Sequence, residues 1–308
     1  MKRYFRIMLG AKSIYADECY KGNFIGADFE LDIDLTNQLP DNWREFNQKF
    51  IPIWLEKHPG KSKIAAGLSC GNLWTIAKGI INGDIVLCPN GQGSYYVGEV
   101  LDTYSYHPET TLPHRRDVKW YPNTIERSSM SEALRNSTGA IGTVSEISKY
   151  AEEIEMLMGG TKPPTIISTD DTVEDPSVFA LEKHLEDFLA QNWKQTEFGK
   201  DYDIYEEDGE LVGQQYPSDT GPIDILAISK DKKTLLVVEL KKGRASDNVV
   251  GQIQRYMGFV KGELAEDNQT VKGVIIALED DLRIKRALSV TNNIEFYRYE
   301  VRFKLFKG

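Results

Sequence analysis

Two apolar runs in the second half of the chain have the pattern of neighbouring strands. Residues 223–229 and 234–240 are almost continuously apolar, and only the polar stretch 230–233 separates them, a length that commonly closes a hairpin. If Ser229 pairs with Thr234, the register places Asp224 directly opposite Glu239. Apolar residues occupy both faces of each run, so both strands are predicted to be buried on both sides.

Three charged residues converge at one end of this predicted hairpin. Facing residues on paired strands lie about 5 Å apart at Cβ, and alternation along the strand puts Lys241 on the same face as Asp224 and Glu239. Two carboxylates buried there would repel and lose hydration at a cost of several kcal/mol, unless a proton or a cation lies between them. A hard divalent ion, Mg²⁺ or Mn²⁺, prefers such oxygen ligands, and Lys241 could then orient or help deprotonate an attacking water. The alternative is a strand end where charge emerges to solvent, with Glu239 paired to Lys241 or Lys242.

The rest of the chain divides around one segment without periodicity. Residues 158–177 carry paired Gly, paired Pro and many Ser, Thr and Asp, which is typical of a linker. Short strand-like runs and helical stretches precede it, and a helix, two strands, a helix and more strands follow. We therefore predict a two-domain protein of α/β and α+β class, with domains at 1–157 and 178–308, as the length of 308 residues also suggests.

Composition narrows the classes of function. The chain is 41% hydrophobic and 27% charged, and no apolar run is long enough to span a bilayer, so we expect a soluble protein without a signal peptide or membrane contact. Three cysteines without metal-ligand spacing favour a reducing cytoplasm over a disulfide framework or zinc site. A net charge of −10 argues against a broad grip on nucleic acid, so any such site must be local.

The C-terminal residues resemble a known nuclease family. Asp224 followed by Glu239-Leu240-Lys241 is the D…ExK pattern of PD-(D/E)xK nucleases, and the longer run YPSDTGPIDILAI…LLVVELKKGRASDNVVGQIQRYMGFV resembles the nuclease domain of NucS-type endonucleases. The resemblance implies a restriction-endonuclease-like α/β sheet and a divalent-metal site. It assigns metal binding to Asp224, Glu239 and Glu182, and it assigns further catalytic roles to Lys241, Gln252 and Tyr256.

Each of the additional assignments has a structural alternative. Glu182 lies near Glu186 and Asp187, so it could belong to a solvated acidic face, and Glu186 is the rival for its role. Gln252 and Tyr256 are four residues apart and share a helix face, but Tyr256 could equally be a core residue. Asp247 could cap that helix. Three basic residues near the strand and helix could contact phosphate or form a solvated rim: Lys242, Arg244 and Arg255.

The N-terminal segments YFRIMLGAKSIYADECYKGNFIGADF, NGDIVLCPNGQGSYYVGEVLDTYSY and HRRDVKWY resemble EVE-like, PUA-related domains that occur fused to restriction systems. The resemblance implies a β-barrel-like fold with helices that accepts a flipped, often modified base in an aromatic pocket. Candidate nucleic-acid contacts are Trp74, Tyr95, Tyr96, Tyr104, Tyr106, Trp120, Arg115 and Arg116, with His114 and Lys119 in the same basic cluster. Aromatic residues on short strands, however, are core residues more often than not.

Two short motifs in this half allow a local prediction. The residues 69–72 precede Trp74 at a predicted helix start, where backbone N–H groups either bind a phosphate or receive an ordinary cap. The Gly-rich residues 91–93 predict a turn, since no helix with the spacing of a phosphate-binding loop follows them.

The function predicted from both halves is a magnesium- or manganese-dependent DNA endonuclease that recognises a modified base, as in modification-dependent restriction. One alternative is a repair endonuclease for mismatched or branched DNA, and another is a nucleic-acid-binding protein, for RNA in particular, that does not cut. Because cleavage of both DNA strands needs two active sites, a homodimer is expected.

Overall fold

The computed structural model describes residues 2–139, 142–159, 185–207, 211–245, 247–280 and 282–300. The chain forms two compact units, residues 1–169 and residues 170–308. Most of the predicted linker, residues 160–177, lies outside the described residues, as does Glu182.

The first unit is built on a mixed sheet in which β1 and β3 run parallel and the other pairs run antiparallel. The strand order is β2-β5-β4-β3-β1-β7, and β6 pairs with β4. The strands are β1 (Tyr4–Ile7), β2 (Phe24–Ala27), β3 (Ile85–Pro89), β4 (Ser94–Tyr106), β5 (His114–Trp120), β6 (Ile125–Glu126) and β7 (Val144–Glu146).

The pairing in this sheet is an open path. Its end strands β2 and β7 pair with β5 and β1 respectively, and the described residues show no pairing between the two ends. The long strand β4 changes register against β5 between Val100 and Tyr104, and such an irregularity bends a strand and increases its twist. The described strands therefore form an open half-barrel, and the EVE-like, PUA-related fold that the resemblance implies stays a prediction.

In the described part of this unit, five α-helices accompany the sheet: α1 (Ala16–Gly22), α2 (Trp43–Lys57), α3 (Lys63–Trp74), α4 (Glu132–Thr138) and α5 (Ala151–Met158). The Asn42 side chain caps α2 by accepting the Arg44 N–H, and the Ser62 hydroxyl caps α3 by accepting the Ala65 N–H. Phe46, Phe50 and other apolar residues of α2 and α3 join the main core. The predicted helix start at residues 69–72 is wrong, because these residues lie inside α3, where helical hydrogen bonding occupies their N–H groups.

Short single-turn helices complete the described secondary structure. They are the 3-10 turns Ala11–Ser13, Arg127–Ser129, Ser148–Tyr150, Trp193–Gln195 and Phe198–Lys200, and the π turns Thr75–Gly79 and Val260–Leu264. Residues 91–93 form the predicted turn between β3 and β4, and Gly91 and Gly93 both take positive φ there.

The second unit has a six-stranded sheet with the order β13-β12-β11-β10-β8, in which β9 also pairs with β10. β11, β12 and β13 are parallel, whereas β10 is antiparallel to β8, β9 and β11. The strands are β8 (Tyr202–Ile204), β9 (Gln214–Tyr216), β10 (Ile223–Ser229), β11 (Thr234–Arg244), β12 (Thr270–Glu279) and β13 (Ile294–Arg298).

The predicted hairpin register between β10 and β11 is confirmed. Ile225 pairs with Val238 and Ile228 with Leu235, so the next positions toward the open end are Asp224 and Glu239. Ile223, Ile225, Leu235 and Val237 are fully buried, as expected for strands covered on both faces.

Helices cover both faces of this sheet. Residues 185–192 form α6, whose Leu185 and Leu189 pack on the face that carries Val238 and Leu240. On the other face lies α7 (Asn248–Phe259), which passes so close to β12 that a Cβ on Gly273 would lie 3.0 Å from Ile253 Cδ1. The helix α8 (Leu282–Leu288) follows β12. Among the residues that the structure describes, no helix is long and apolar enough to cross a membrane.

Candidate active site

Asp224 and Glu239 meet where β10 and β11 separate. Asp224 Oδ2 accepts the backbone N–H of Leu240 at 2.7 Å, so a side-chain carboxylate binds this N–H just beyond the point where β10 and β11 stop pairing. Glu239 is only 2% exposed. The interpretation of Glu239 as a charge emerging to solvent is therefore wrong, because its carboxylate is inside the protein.

Lys241 also belongs to this group. Its Nζ lies 2.9 Å from Glu239 Oε1, and its side chain is 32% exposed whereas that of Glu239 is 2% exposed. The pairing proposed in the alternative interpretation is thus present, but it joins a buried carboxylate to a half-exposed ammonium. This geometry leaves Lys241 both fixed by Glu239 and accessible to a molecule at the edge of the sheet.

The pKa of Asp224 is changed by burial and by the charges around its carboxyl group. Burial raises the pKa of Asp224 well above its ordinary value, and the negative charges of Glu239 and Glu186 raise it further. Donation from the Leu240 N–H and the charge of Lys241 oppose this increase in the pKa without cancelling it. The raised pKa of Asp224 thus agrees with the repulsion between buried carboxylates that the sequence predicts.

Gln252 and Tyr256 of α7 lie beside these acids. Gln252 Nε2 donates to Tyr256 Oη at 3.1 Å, as their four-residue spacing predicts. Burial raises the pKa of Tyr256, and the nearby carboxylates of Glu239 and Asp224 raise it further. Gly221 makes room for the ring: it has φ 125°, and a Cβ there would lie 3.1 Å from Tyr256 Oη.

Glu186, which the sequence offers as the rival of Glu182, lies in a buried cluster with two glutamines that the sequence did not reveal. Glu186 of α6 is 3% exposed, and its two carboxylate oxygens accept hydrogen bonds from two consecutive glutamines of β9. Gln214 Nε2 lies 2.7 Å from Oε1, and Gln215 Nε2 lies 2.6 Å from Oε2. Gln215 Nε2 also lies 3.1 Å from Asp224 Oδ1. Gln214 and Gln215 were missed because six residues separate β9 from β10, too long a connection for a register to be read from the sequence.

The donor set fits a hard divalent ion with few protein ligands. Among the described residues no group of three or more His, Cys, Asp or Glu side chains is arranged to hold a metal ion, and Glu182, the third predicted ligand, lies outside them. Asp224 and Glu239 supply carboxylate oxygens, and Mg²⁺ usually takes only one or two carboxylates together with waters and substrate phosphates. These two residues are therefore the ones that would hold such an ion.

The α7 cap differs from the prediction. Asp247 occupies the N-cap position but has helical backbone angles, and its side chain makes no capping hydrogen bond.

Several N-terminal candidates are core residues, which corrects their predicted contact with nucleic acid. Tyr95 is 3% and Arg116 is 3% exposed, and the Arg116 guanidinium donates to the backbone carbonyls of Ala77, Ile80 and Leu101. His114 is fully buried between Tyr104 Oη and the Leu31 carbonyl, each at 2.8 Å. Burial of the imidazole lowers the pKa of His114. Two members of the predicted basic cluster, His114 and Arg116, are therefore inside the protein, whereas Arg115 is half-buried and Lys119 is exposed.

Three other candidates, Trp74, Arg115 and Tyr106, contact backbone carbonyls or aromatic side chains of the first unit. Trp74 Nε1 donates to the Pro40 carbonyl, and Arg115 donates to the carbonyls of Thr111 and Leu112 while stacking over the Phe24 ring. The Tyr106 ring lies 5.1 Å from His114.

A half-exposed aromatic cluster remains in the first unit. Tyr20 and Tyr96 stack with ring centroids 4.2 Å apart, and Trp120 lies 5.7 Å from Tyr20. Tyr96 Oη donates to Asp17, and Trp120 Nε1 donates to the Cys19 carbonyl. Tyr96 and Trp120 are among the residues predicted from the sequence, but Tyr20 is not. Tyr20 lies on α1, and no regular spacing along the chain links it to the aromatic residues of the strands.

Comparisons with known proteins divide along the same two parts. Residues 5–148 match a family described as a domain of unknown function (DUF8426), and residues 181–304 match the family described as Endonuclease NucS C-terminal domain. Endonuclease NucS of Methanocaldococcus jannaschii is 31% identical over 96 residues, which are 31% of this chain and 35% of the relative. The chain thus spans about a third of the length of this curated relative.

Two solved structures are also similar. A complex of EndoMS with double-stranded DNA has a TM-score of 0.32 and 14% identity, over 68% of this chain and 62% of that one. A repair endonuclease from Pyrococcus abyssi has a TM-score of 0.31 and 16% identity, over 69% of this chain and 66% of that one. The family match over residues 181–304, which contain Asp224, Glu239 and Lys241, is the finding that makes this part of the chain similar to the Endonuclease NucS C-terminal domain.

Proposed function

We propose that this protein is a divalent-metal-dependent DNA endonuclease whose cutting centre contains Asp224, Glu239 and Lys241. The observation that carries the proposal is the buried carboxylate pair at the end of β10 and β11, with the Lys241 ammonium 2.9 Å from Glu239. An arrangement that accumulates negative charge in an apolar sheet serves no packing purpose, whereas it suits a cation. The family match over residues 181–304 supports phosphodiester hydrolysis as the reaction.

The roles of the residues follow from their positions. Bound Mg²⁺ or Mn²⁺ would polarise the scissile phosphate and acidify a water. Asp224 and Glu239 would hold the ion, and Lys241, fixed by Glu239 and half exposed, would orient the attacking water or stabilise the charge that develops on the phosphate. Gln252 and Tyr256, which are hydrogen-bonded to each other on α7, would present an amide and a hydroxyl to the same phosphate.

For the first unit we propose recognition of a modified or otherwise unusual base, as in modification-dependent restriction. The half-exposed rings of Tyr20, Tyr96 and Trp120 are the aromatic surface available for stacking, which is sequence-tolerant and worth about 1–3 kcal/mol per base. We further propose a cytoplasmic homodimer, because two active sites are needed to cut both strands.

A cleavage panel tests the proposal. Genomic DNAs with different base modifications are incubated with the full chain and Mg²⁺ or Mn²⁺, and Lys241→Ala is the matched control. We expect the wild type to cut one modified DNA only when the metal ion is present. The cleavage rate should fall by at least about 100-fold in Lys241→Ala, and any cleavage that persists in EDTA should be the same in both proteins. Equal cutting of modified and unmodified DNA would remove the proposed reader role and leave the nuclease.

A second candidate is a repair endonuclease for mismatched or branched DNA, which the similarity to Endonuclease NucS favours. The match of residues 5–148 to a separate domain family speaks for a different recognition unit. Oligonucleotides with a single mismatch belong in the same panel, and their selective cleavage would favour repair. Binding without any cleavage would favour a nucleic-acid-binding protein, with RNA as the first alternative ligand.

A further inference from the structure

Gln215 connects two acidic residues that come from different elements of the second unit. Its Nε2 donates to Glu186 Oε2 of α6 at 2.6 Å and to Asp224 Oδ1 of β10 at 3.1 Å. A carboxamide nitrogen has two hydrogens, so one group can serve both acceptors. The two carboxylate oxygens are thereby held within about 6 Å of each other although their charges repel.

The backbone of Gln215 supports this connection. Gln214 pairs with Ile225 and Tyr216 with Ile223, which places Gln215 opposite Asp224. Gln215 has φ 52°, a left-handed conformation that is strained for a residue other than glycine. The backbone of β9 is therefore strained at Gln215, whose side chain reaches both Glu186 and Asp224.

The neighbouring glutamine fixes the other side of Glu186. Gln214 Nε2 donates to Glu186 Oε1 at 2.7 Å and to Asp187 Oδ1 at 2.9 Å. Each oxygen of the buried Glu186 carboxylate thus has its own amide donor. Of these two amides, that of Gln215 also donates to Asp224.

We propose that Gln215 is a positioning residue that sets the orientation of the Asp224 carboxylate toward the metal by anchoring it to Glu186. Its donation leaves Asp224 with one oxygen held by Gln215 and the other by the Leu240 N–H, so the carboxylate cannot rotate. Groups that orient a metal ligand typically change metal affinity by about 10-fold to 100-fold when they are removed. The inference rests on the proposed function, because it takes Asp224 to be a metal ligand.

The test measures Mn²⁺ binding directly, by the electron paramagnetic resonance signal of free Mn²⁺, in the full chain without DNA. Gln215→Met keeps a similar volume and removes the donors, and Gln215→Asn keeps the amide but is too short to span both acids. We expect both to weaken Mn²⁺ binding by about 10-fold or more. Gln254→Met, an exposed glutamine on α7, is the matched control and should bind as the wild type does.

Gln214→Met separates the two glutamines. It removes donors to Glu186 and Asp187 but leaves the Asp224 hydrogen bond, so its effect on Mn²⁺ affinity should be smaller than that of Gln215→Met. Circular dichroism confirms folding of each variant, and Gln215→Asn decides the question if Gln215→Met does not fold.

The outcomes distinguish this inference from the proposed function. Wild-type Mn²⁺ affinity in a folded Gln215 variant overturns the positioning role, even if its thermal stability is reduced. Wild-type protein that binds no Mn²⁺ overturns it as well. Tight Mn²⁺ binding that is lost in the Gln215 variants, in a protein that cuts no DNA, would sustain the inference and reject the nuclease.

Discussion

At the scale of single residues, the candidate site is a balance between charges that repel and groups that hold them. Asp224 lies next to Glu239 and Glu186, and the Leu240 N–H, Gln215 and Lys241 oppose the repulsion. The raised pKa of Asp224 means that the folded protein binds a proton there more tightly than the unfolded chain does. Such a group stabilises the fold fully below the unfolded pKa, near pH 4, and this contribution is lost as the pH rises toward the folded pKa.

The pH dependence of stability follows from that sign. In EDTA, the thermal midpoint of the second unit should fall from pH 5 to pH 8 more steeply in the wild type than in Asp224→Asn, which cannot ionise. Calorimetry at several pH values measures the difference, and saturating Mg²⁺ should reduce it because the ion offsets the repulsion. Parallel pH profiles for the two proteins would contradict the repulsion at Asp224.

At the scale of elements, α8 carries basic residues close to the edge of the sheet that holds the candidate site. β11 and β12 are parallel, with Lys241 beside Ala277, so the helix that begins just after β12 starts at the edge where Glu239 and Lys241 lie. Arg283 and Arg286 of α8 are exposed and three residues apart, which places them on one face of the helix. In a chain of net charge −10, such a local site is the kind that phosphate binding requires.

Reversing the charge of α8 should therefore weaken DNA binding. For Arg283→Glu/Arg286→Glu we expect DNA binding to be weaker by about 10-fold or more. The slope of the logarithm of the binding constant against the logarithm of the salt concentration should be shallower by about one unit for each lost phosphate contact. Fluorescence anisotropy in Ca²⁺ at several salt concentrations measures both quantities.

The control carries the same change of charge at the opposite end of β11. Lys232→Glu/Lys233→Glu alters the exposed hairpin loop, roughly 20 Å from Glu239 along the strand. If this variant loses as much affinity as the α8 variant, net charge rather than a phosphate site on α8 accounts for binding.

At the scale of the whole molecule, each unit has a core of its own. Phe46, Phe50 and Leu73 belong to a cluster formed entirely within residues 5–144, whereas Trp193, Val238 and Ile276 belong to one within the second unit. Apolar burial supplies most of the free energy of folding, so units with separate cores are expected to unfold separately.

Phe50→Ala tests that independence. Phe50 is 1% exposed, and its truncation should destabilise the first unit by about 3–5 kcal/mol. Calorimetry should show one transition moved to lower temperature, the second unchanged, and Mn²⁺ affinity equal to that of the wild type. A joint shift of both transitions would show that the two units unfold together.

The sequence alone determined which residues meet at the candidate C-terminal site, because strand alternation and a four-residue loop fix which residues face one another. Asp224 opposite Glu239, with Lys241 on the same face, follows from these local rules, as does the Gln252 and Tyr256 pair on one helix face. Burial of both strand faces follows from their apolar composition. None of these inferences required contacts between distant segments.

Tertiary structure decided which side chains are inside and which distant elements meet. His114, Arg116 and Tyr95 look like surface contacts in the sequence, yet β5 and β4 place them in the core, where they form hydrogen bonds with backbone carbonyls and other polar groups. The meeting of Glu186, Gln215 and Asp224 depends on α6, β9 and β10 packing together. Long-range packing has no fixed spacing along the chain, and for this reason the sequence predicted the acidic pair but not the glutamine that connects it to α6.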